Sequence, residues 1–423
     1  MVSPIEARAR IDRYGARLAA FAAVFAPAEG QGPTFAVKDM IDFAGVPTHG
    51  GGRLALDLAP ARHAAPVERL LEAGWSPVGK TQTVELAYGG WGTNRAVGAP
   101  WNPWDSKIHR APGGSSSGSA VAVAAGLCDV ALGTDTGGSV RIPAGVCGVV
   151  GLKPGRGLVS LRGVHDLAPS LDTCGTLARS VADAARALAI ISRPDGEGET
   201  RPPLDAQAAL VTSVRGWRVA ALAPQDIEGL EPEVARLYAI ALDQLRAAGV
   251  GIETAHPPRP LSTFFQPNGT LMAAEGWRVR GAHIEANADQ MDPWIVSRFQ
   301  VGRAITDAQL DAARRQRAQD QEEFHAWLSS YDGLVCPTCP IQAPPIEGVD
   351  ERVSPLSSLT RAGNYLDLPA ASIPMGLTAD GLPTGFQIMG GPRDETSVVA
   401  LAAAFEAVSG WNGRAPDLSG FEP

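Results

Sequence analysis

The sequence predicts an α/β fold in which strands and helices pack in layers. Between residues 33 and 190, short apolar runs alternate with helical patterns, and the segment is dense in glycine. The chain has 423 residues, of which 45% are hydrophobic and 19% charged, so it can bury a large core. These observations indicate an ordered globular protein.

The first predicted element is a helix near the N-terminus. Ser3 and Glu6 have the spacing of a capping box, and Pro4 stands at the first helical position. Apolar residues recur at helical spacing and define one face of this helix: Ile11, Tyr14, Leu18, Phe21 and Phe25. The pattern favours a helix packed on the core over a secretory signal. No later apolar run reaches the roughly 18 residues that would predict a membrane span.

The following elements alternate between strand and helix. A strand is predicted to end near Asp39, followed by a helix over 67–73 and a strand over 75–79. The run AVAVAAGLCDVALGTD predicts a buried helix of small residues, a turn at Gly126 and a strand that ends near Thr134. The small side chains should let this helix approach its neighbours closely.

The second half of the chain is predicted to begin with a linker over 193–213 and to be more helical over 195–330. Within it, helices are predicted over 232–248 and 306–331, and Thr306 and Gln309 have the spacing of a capping box at the start of the second helix. The segments YDGLVCPT, ASIPMGL and GLPTGFQIMGG then predict strands and turns, and a final helix follows over 396–408. We expect one domain over residues 1–423, with the helical part as an excursion from it.

Charge and cysteine usage exclude several classes of function. The 36 basic and 45 acidic residues leave a net charge of −9 with no basic block, so nucleic acid is not an expected partner. The cysteines are too few and scattered for a disulfide framework, which favours the cytoplasm: Cys128, Cys147, Cys174, Cys336 and Cys339. The last two form a CxxC without a second pair, which favours buried hydrophobic residues over a metal or redox site. We expect no metal and no cofactor.

The motif Gly137-Gly138-Ser139 is the first candidate for chemistry. Consecutive glycines can turn their backbone N–H groups toward one point, and a serine oxygen beside such a nest resembles a nucleophile next to an oxyanion hole. The alternative for an isolated motif of this kind is a tight turn between a strand and a helix.

A second serine cluster, GGSSSGS, occupies residues 113–119. A flexible linker is one interpretation, but an apolar run follows at once. The cluster also matches G-x-S-x-G with Ser116 at its centre, yet the apolar strand that should precede such a nucleophile is missing. The last histidine, His325, lies in a charged helix and is a poor candidate for a catalytic base.

Lys38 interrupts an apolar run in FAVKD. A lysine at a strand end is usually solvated, but one held in an apolar pocket is neutral near pH 7 and can accept a proton from a serine. Serine chemistry without a suitable histidine needs such a base, and pairs of serine and lysine are a known variant.

Lys38, the block GGSSSGSAVAVAAG and the block ALGTDTGGSVRIPAGVCGVVGLKP together resemble the amidase signature family of amide hydrolases. The resemblance extends over about residues 32–184 and resumes at YDGLVCPT and at NYLDLPAASIPMGLTADGLPTGFQIMG. It implies that a large twisted mixed sheet forms the core, with helices on both faces. One departure is Thr176, where relatives usually carry proline, and it concerns a turn.

The resemblance implies a role for each matching residue. Ser139 is expected to be the nucleophile, Ser115 to relay the proton, and Lys38 to be the terminal base. The peptide bond between Gly114 and Ser115 is expected to be cis. The oxyanion would be held by backbone N–H groups of the loop that carries the nucleophile: Thr136, Gly137, Gly138 and Ser139.

Further residues are predicted to support the site. Asp135 and Arg141 flank the nucleophile and are expected to pair, because an isolated buried charge is costly; solvated turn charges are the alternative. The resemblance implies that the substrate contacts one short stretch and the glycine before the relay serine: Tyr88, Gly89, Gly90, Trp91 and Gly114. Packing in the core is the alternative for the stretch.

The predicted function is hydrolysis of a small soluble carboxamide or urea-like amide, through a Ser-cisSer-Lys triad and an acyl-enzyme. In size the chain resembles stand-alone enzymes such as malonamidase and the carboxybiuret hydrolases. The alternative is a glutaminase component that supplies ammonia to a partner in an amidotransferase. A non-catalytic binding protein is a third hypothesis, which the presence of all three triad residues disfavours. A homodimer is left open, and no membrane partner is expected.

Overall fold

A computed structural model describes residues 2–27, 32–195 and 201–422 of the chain. Its α-helices are α1 (Pro4–Leu18), α2 (Ala65–Glu72), α3 (Ser117–Ala124), α4 (Arg141–Cys147), α5 (Val181–Ile191), α6 (Ala206–Val211), α7 (Pro232–Ala247), α8 (Phe265–Asn287), α9 (Pro293–Arg303), α10 (Asp307–Leu328), α11 (Arg361–Tyr365) and α12 (Glu395–Ser409). Its strands are β1 (Phe21–Val24), β2 (Thr34–Lys38), β3 (Ser76–Thr81), β4 (Val130–Asp135), β5 (Val150–Lys153), β6 (Thr173–Ala178), β7 (Arg218–Ala221), β8 (Gly251–Thr254), β9 (Gly333–Pro337), β10 (Ala370–Leu377) and β11 (Pro383–Met389). The fold is therefore α/β, as predicted.

Within the described residues, eleven strands form one mixed sheet. Their order across the sheet is β1-β3-β2-β4-β6-β5-β10-β11-β9-β7-β8. Strand β2 pairs in parallel with β3 and β4, and β7 pairs in parallel with β8 and β9. The other pairs are antiparallel. Both edges are short strands of four residues, β1 and β8, which limits the unpaired backbone at the rim.

The middle of the sheet is covered on both faces. Six strands are buried along their whole length: β2, β4, β5, β6, β9 and β11. Because successive side chains of a strand point to opposite faces, burial of every residue means that both faces are covered. Helices α3, α4, α5, α7 and α12 pack against these central strands. Helix α3 is buried throughout, and a Cβ added at Gly118 would lie 2.3 Å from the Ala20 carbonyl oxygen. The expected close approach of this helix is confirmed.

The N-terminal prediction is correct at its start and wrong at its end. The Ser3 side chain accepts a hydrogen bond from the Glu6 N–H at 3.2 Å, and Pro4 opens α1. The helix ends at Leu18, because Ala19 adopts a left-handed conformation with φ of 48°. Phe21 therefore belongs to β1 and Phe25 follows that strand, so neither is part of the helical face.

The segment 201–330 contains α6 to α10, but it is not purely helical. Strands β7 and β8 lie within it and extend the same sheet. The predicted capping box of Thr306 and Gln309 is confirmed at the start of α10. The predicted linker contains α6 in its second half, while residues 196–200 lie outside the described residues. That residues 1–423 form one domain stays a prediction.

Candidate active site

Lys38 is the last residue of β2, and β2 runs parallel to its neighbour β4 in the sheet. Its side chain is fully buried, and its Nζ lies 2.7 Å from Ser115 Oγ and 2.7 Å from Thr134 Oγ1. Burial lowers the pKa of Lys38 to about 7, although the carboxylates of Asp135 and Asp172 oppose this shift. The amine is thus substantially neutral near pH 7, and it can accept a proton from the Ser115 hydroxyl.

Ser115 is held just before α3. The Gly114–Ser115 peptide bond is cis, as the resemblance predicts. The Ser115 carbonyl oxygen accepts hydrogen bonds from Thr83 Oγ1 at 2.9 Å and from the Val84 N–H at 3.2 Å. These bonds fix the backbone of Ser115 so that its hydroxyl points at Lys38.

Ser139 lies in the loop between β4 and α4, next to Ser115. The Ser116 N–H donates to the Ser139 carbonyl oxygen at 3.1 Å, which ties the two serine segments together. Ser139 also lines a cavity of about 320 Å³. In the described structure Lys38 and Ser115 are hydrogen-bonded to each other, and the Ser139 hydroxyl makes no hydrogen bond to Ser115 Oγ. Hydrogen bonds at catalytic sites often tighten only when substrate is bound.

Three backbone N–H groups of the Ser139 loop are available for an oxyanion. In the described structure, the N–H groups of Thr136, Gly137 and Ser139 have no hydrogen-bond partner. The Gly138 N–H differs from the prediction, because it donates to Asp135 Oδ1 at 2.8 Å. Gly138 instead allows the turn: its φ is 127°, and an added Cβ would lie 2.1 Å from Thr360 Oγ1.

Asp135 and Arg141 form the expected pair. Arg141 Nη2 lies 2.9 Å from Asp135 Oδ1 and its Nε 3.1 Å from Oδ2, and both side chains are fully buried. Asp135 also accepts hydrogen bonds from the N–H groups of Gly138 and Val140, and the nearby Arg141 guanidinium holds the pKa of its carboxyl far below the ordinary value. Asp135 is therefore a charged anchor for the nucleophile loop, and the alternative of solvated turn charges is wrong.

The cavity beside Ser139 includes only part of the predicted substrate stretch. Tyr88, Gly89 and Gly90 line it, together with Gly137. Trp91 is buried elsewhere and donates its Nε1–H to the carbonyl oxygens of Asp350 and Val353. Gly114 packs against the backbone of Gly89 and Gly92. Trp91 and Gly114 are therefore absent from the lining of this cavity, and their contact with substrate stays a prediction.

Several residues of the site were missed because they come from distant parts of the chain. Thr360 Oγ1 donates to the Gly137 carbonyl oxygen at 2.8 Å, and the Asn364 side chain bonds both Arg141 and the Asp135 carbonyl oxygen. From α8, Asn268 contributes a buried side-chain oxygen without a hydrogen-bond partner, next to Gly137. From α11, Arg361 lines the cavity. No local sequence pattern singles out these residues, because helix α8 carries polar residues along its whole length and α11 is only five residues long.

Asp172 is a second titratable group near the relay. Its carboxylate accepts hydrogen bonds from Thr136 Oγ1 at 2.5 Å and from the N–H groups of Leu167 and Ala168 at 2.9 Å. Burial raises the pKa of Asp172 to about 7. Asp172 thus holds the residue that opens the oxyanion loop, and its charge changes in the pH range where Lys38 titrates.

None of the five cysteines is among the residues that line the cavity beside Ser139. All five are buried and unpaired, and burial raises the pKa of Cys336 to about 12. Over residues 2–27, 32–195 and 201–422, no group of three or more potential metal-ligating side chains is found. In the same ranges no helix is both long and apolar enough to cross a bilayer.

The buried Lys38 contacts Ser115, and Ser139 lies beside them in a loop with free backbone N–H groups. This is the arrangement of a serine hydrolase with a lysine base. The model of the Amidase family matches residues 31–399. The chain therefore belongs to this family of amidase signature enzymes, which hydrolyse C–N bonds of amides.

Similar proteins include components of amidotransferases as well as amidases. The chain is 35% identical over 411 residues to the A subunit of the glutamyl-tRNA(Gln) amidotransferase of Chloroflexus aggregans, covering 90% of this chain and 84% of the relative. The solved structure of the same component from Thermotoga maritima matches with a TM-score of 0.87 and 30% identity, over 98% of this chain and 94% of that one. The peptide amidase of Stenotrophomonas maltophilia matches with a TM-score of 0.84 and 30% identity over the same shares.

Proposed function

We propose that this protein hydrolyses the carboxamide of a small substrate through an acyl-enzyme on Ser139. The observation that carries the proposal is the 2.7 Å contact between Lys38 Nζ and Ser115 Oγ beside the nucleophile loop. In this mechanism Lys38 takes the Ser115 proton, Ser115 takes the Ser139 proton, and Ser139 Oγ attacks the amide carbon. No metal and no cofactor take part in these steps.

The oxyanion of the tetrahedral intermediate is placed at the N–H groups of Thr136, Gly137 and Ser139. A donor of this kind contributes about 3 to 4 kcal/mol to the stability of the transition state. The proton then passes back along Ser115 to the leaving nitrogen, so that ammonia or an amine departs neutral. Water repeats the attack on the ester, and the carboxylic acid leaves with Ser139 restored.

We further propose glutamine as the amide and an amidotransferase complex as the setting. The relatives from Chloroflexus aggregans and Thermotoga maritima support this hypothesis better than a stand-alone amidase, because their names describe one component of an amidotransferase. In such a complex the released ammonia would pass to another component. The partner of this chain would then be a protein, in addition to the small amide.

A stand-alone amidase for an anionic amide is the second candidate, and the charge of the cavity favours it. Among the described lining residues Glu351 is the one carboxylate, and it is already bound by Arg298 and Thr93. An amino acid such as glutamine carries an ammonium group as well as a carboxylate. The cavity offers an unpaired cation for the carboxylate but no free anion for the ammonium.

The test is ammonia release by the purified chain, alone and together with the other components of an amidotransferase from the same cell. Glutamine turnover that rises on their addition supports the first candidate, while turnover of other small amides without any partner supports the second. Whole-protein mass spectrometry should show an acyl adduct that Ser139→Ala abolishes. Absence of turnover and adduct with every amide contradicts the proposed hydrolysis.

A further inference from the structure

Arg361 is a cation in the cavity wall without an ionic partner. Its Nε donates to Ser357 Oγ at 3.2 Å and its Nη1 to the Phe265 carbonyl oxygen at 3.1 Å. In the described part of the chain, no carboxylate lies within 4.0 Å of the guanidinium, and no acceptor is found for Nη2. The two other arginines of the cavity, Arg298 and Arg352, are paired with Glu351 and Asp350.

The position of the guanidinium is defined by its neighbours. It lies over the ring of Phe265 with 3.7 Å between its Cζ and the ring centroid. An added Cβ at Gly269 would approach Nη1 to 3.0 Å, and one at Gly137 would approach the Arg361 side chain to 3.4 Å. The side chain therefore occupies space that two glycines leave open, and one of these glycines belongs to the oxyanion loop beside Ser139.

A half-buried guanidinium without a counter-ion costs free energy that a ligand carboxylate would recover. Burial lowers the pKa of Arg361 to about 10, which still leaves it protonated at neutral pH. Met272, Ala273 and Ile305 add an apolar wall, which suits a short aliphatic chain between two polar ends. At one end of such a substrate is the amide, which lies at Ser139, and at the other end is an anion.

We infer that Arg361 binds a carboxylate of the substrate and makes the enzyme selective for small amides that carry one. This inference rests on the proposed hydrolysis at Ser139. The shared chemistry is a carboxylate separated from a primary amide by a few carbon atoms. Two kinds of substrate share this chemistry: an amino acid amide such as glutamine, and the monoamide of a dicarboxylic acid. Test substrates that differ by one group distinguish these two kinds.

Glutaramate is glutamine without its ammonium group, and pentanamide has a methyl group in place of the carboxylate of glutaramate. We expect Arg361→Gln to lower kcat/KM for the carboxylate-bearing amide by about 10- to 100-fold, the range for a lost hydrogen bond to a charged group. Turnover of pentanamide should change little. The conservative Arg361→Lys should restore part of the selectivity, because it returns the charge without the planar fork.

The readout is the ratio of kcat/KM for glutaramate or glutamine to that for pentanamide. A merely structural role of Arg361 would lower both terms and leave this ratio unchanged, which would overturn the inference. The matched control is Arg352→Gln, which removes an exposed, ion-paired arginine at the rim and should leave the ratio near that of the wild type. An equal fall in the ratio for both variants would assign selectivity to net charge and overturn the role of Arg361.

Binding of glutarate, measured by calorimetry on the wild type and on Arg361→Gln, separates this inference from the proposed function. If no amide is hydrolysed, the proposed function fails, but glutarate that binds at least about 10-fold more weakly to the variant still supports the carboxylate site. Equal binding to both proteins, or no binding to the wild type, overturns it. If amides are hydrolysed without preference for a carboxylate, the inference fails and the hydrolysis stands.

Discussion

The pH dependence of acylation tests the proposed relay most directly. Burial places the pKa of Lys38 at about 7, against an ordinary value of 10.5. At pH 7 about half of the side chains are then neutral, whereas a solvated lysine would be neutral in only about one molecule in 3,000. Because the neutral amine is the base, kcat/KM should rise about tenfold per unit below pH 7 and level off above it.

The assay is kcat/KM for ammonia release from an amide that the wild type hydrolyses, measured from about pH 5.5 to 9.5 at constant ionic strength. Lys38 faces Asp135, Asp172 and the Cys174 thiol. Of these, Asp172 has a pKa of about 7 and titrates in the same window. The profile is therefore repeated with Asp172→Asn. If Lys38 is the base, a single midpoint should remain and should move below that of the wild type, because the variant removes a carboxylate that raises the pKa of Lys38. Circular dichroism at each pH checks that the fold is unchanged.

The matched variant is Lys38→Met, which keeps the length of the side chain and removes the amine. Loss of a general base should lower kcat/KM by about 10² to 10⁴-fold. The free energy of unfolding should stay within about 2 kcal/mol of the wild type, because a buried amine that resists protonation is replaced by an apolar group. A flat profile down to pH 5.5, or wild-type activity of Lys38→Met, would refute the reasoning.

Three further predictions concern the nucleophile loop. Ser139→Ala should abolish turnover and the acyl adduct with an unchanged thermal midpoint, and residual turnover at the wild-type rate would exclude this nucleophile. Gly138→Ala should lower the free energy of unfolding by about 2 kcal/mol or more, since its Cβ would lie 2.1 Å from Thr360 Oγ1; a thermal midpoint equal to the wild type would contradict the turn. Asp135→Asn leaves the buried Arg141 without its counter-ion and should destabilise the protein by about 3 to 5 kcal/mol in urea unfolding. A loss below about 1 kcal/mol would show that the pair is not an anchor.

Local patterns predicted most elements because each depends on residues that are close in sequence. The start of α1 follows from Ser3 and Pro4, and the start of α10 from Thr306 and Gln309. The end of α1 was missed, because a left-handed Ala19 leaves no pattern in the sequence. Strands β7 and β8 were missed inside the helical segment because strands of only four residues carry little periodic signal.

The sequence by itself determined the α/β class, the family, and the candidate triad of Lys38, Ser115 and Ser139, since these depend on contiguous motifs. Only the tertiary structure decided what surrounds the triad. The sheet brings the segment 357–364 and helix α8 to the nucleophile loop, where Thr360 fixes the Gly137 carbonyl and Arg361 faces the cavity. The same packing buries Trp91 outside the cavity, where its Nε1–H donates to the carbonyl oxygens of Asp350 and Val353. Such contacts depend on residues far apart in the chain, and no local pattern encodes which of them will meet.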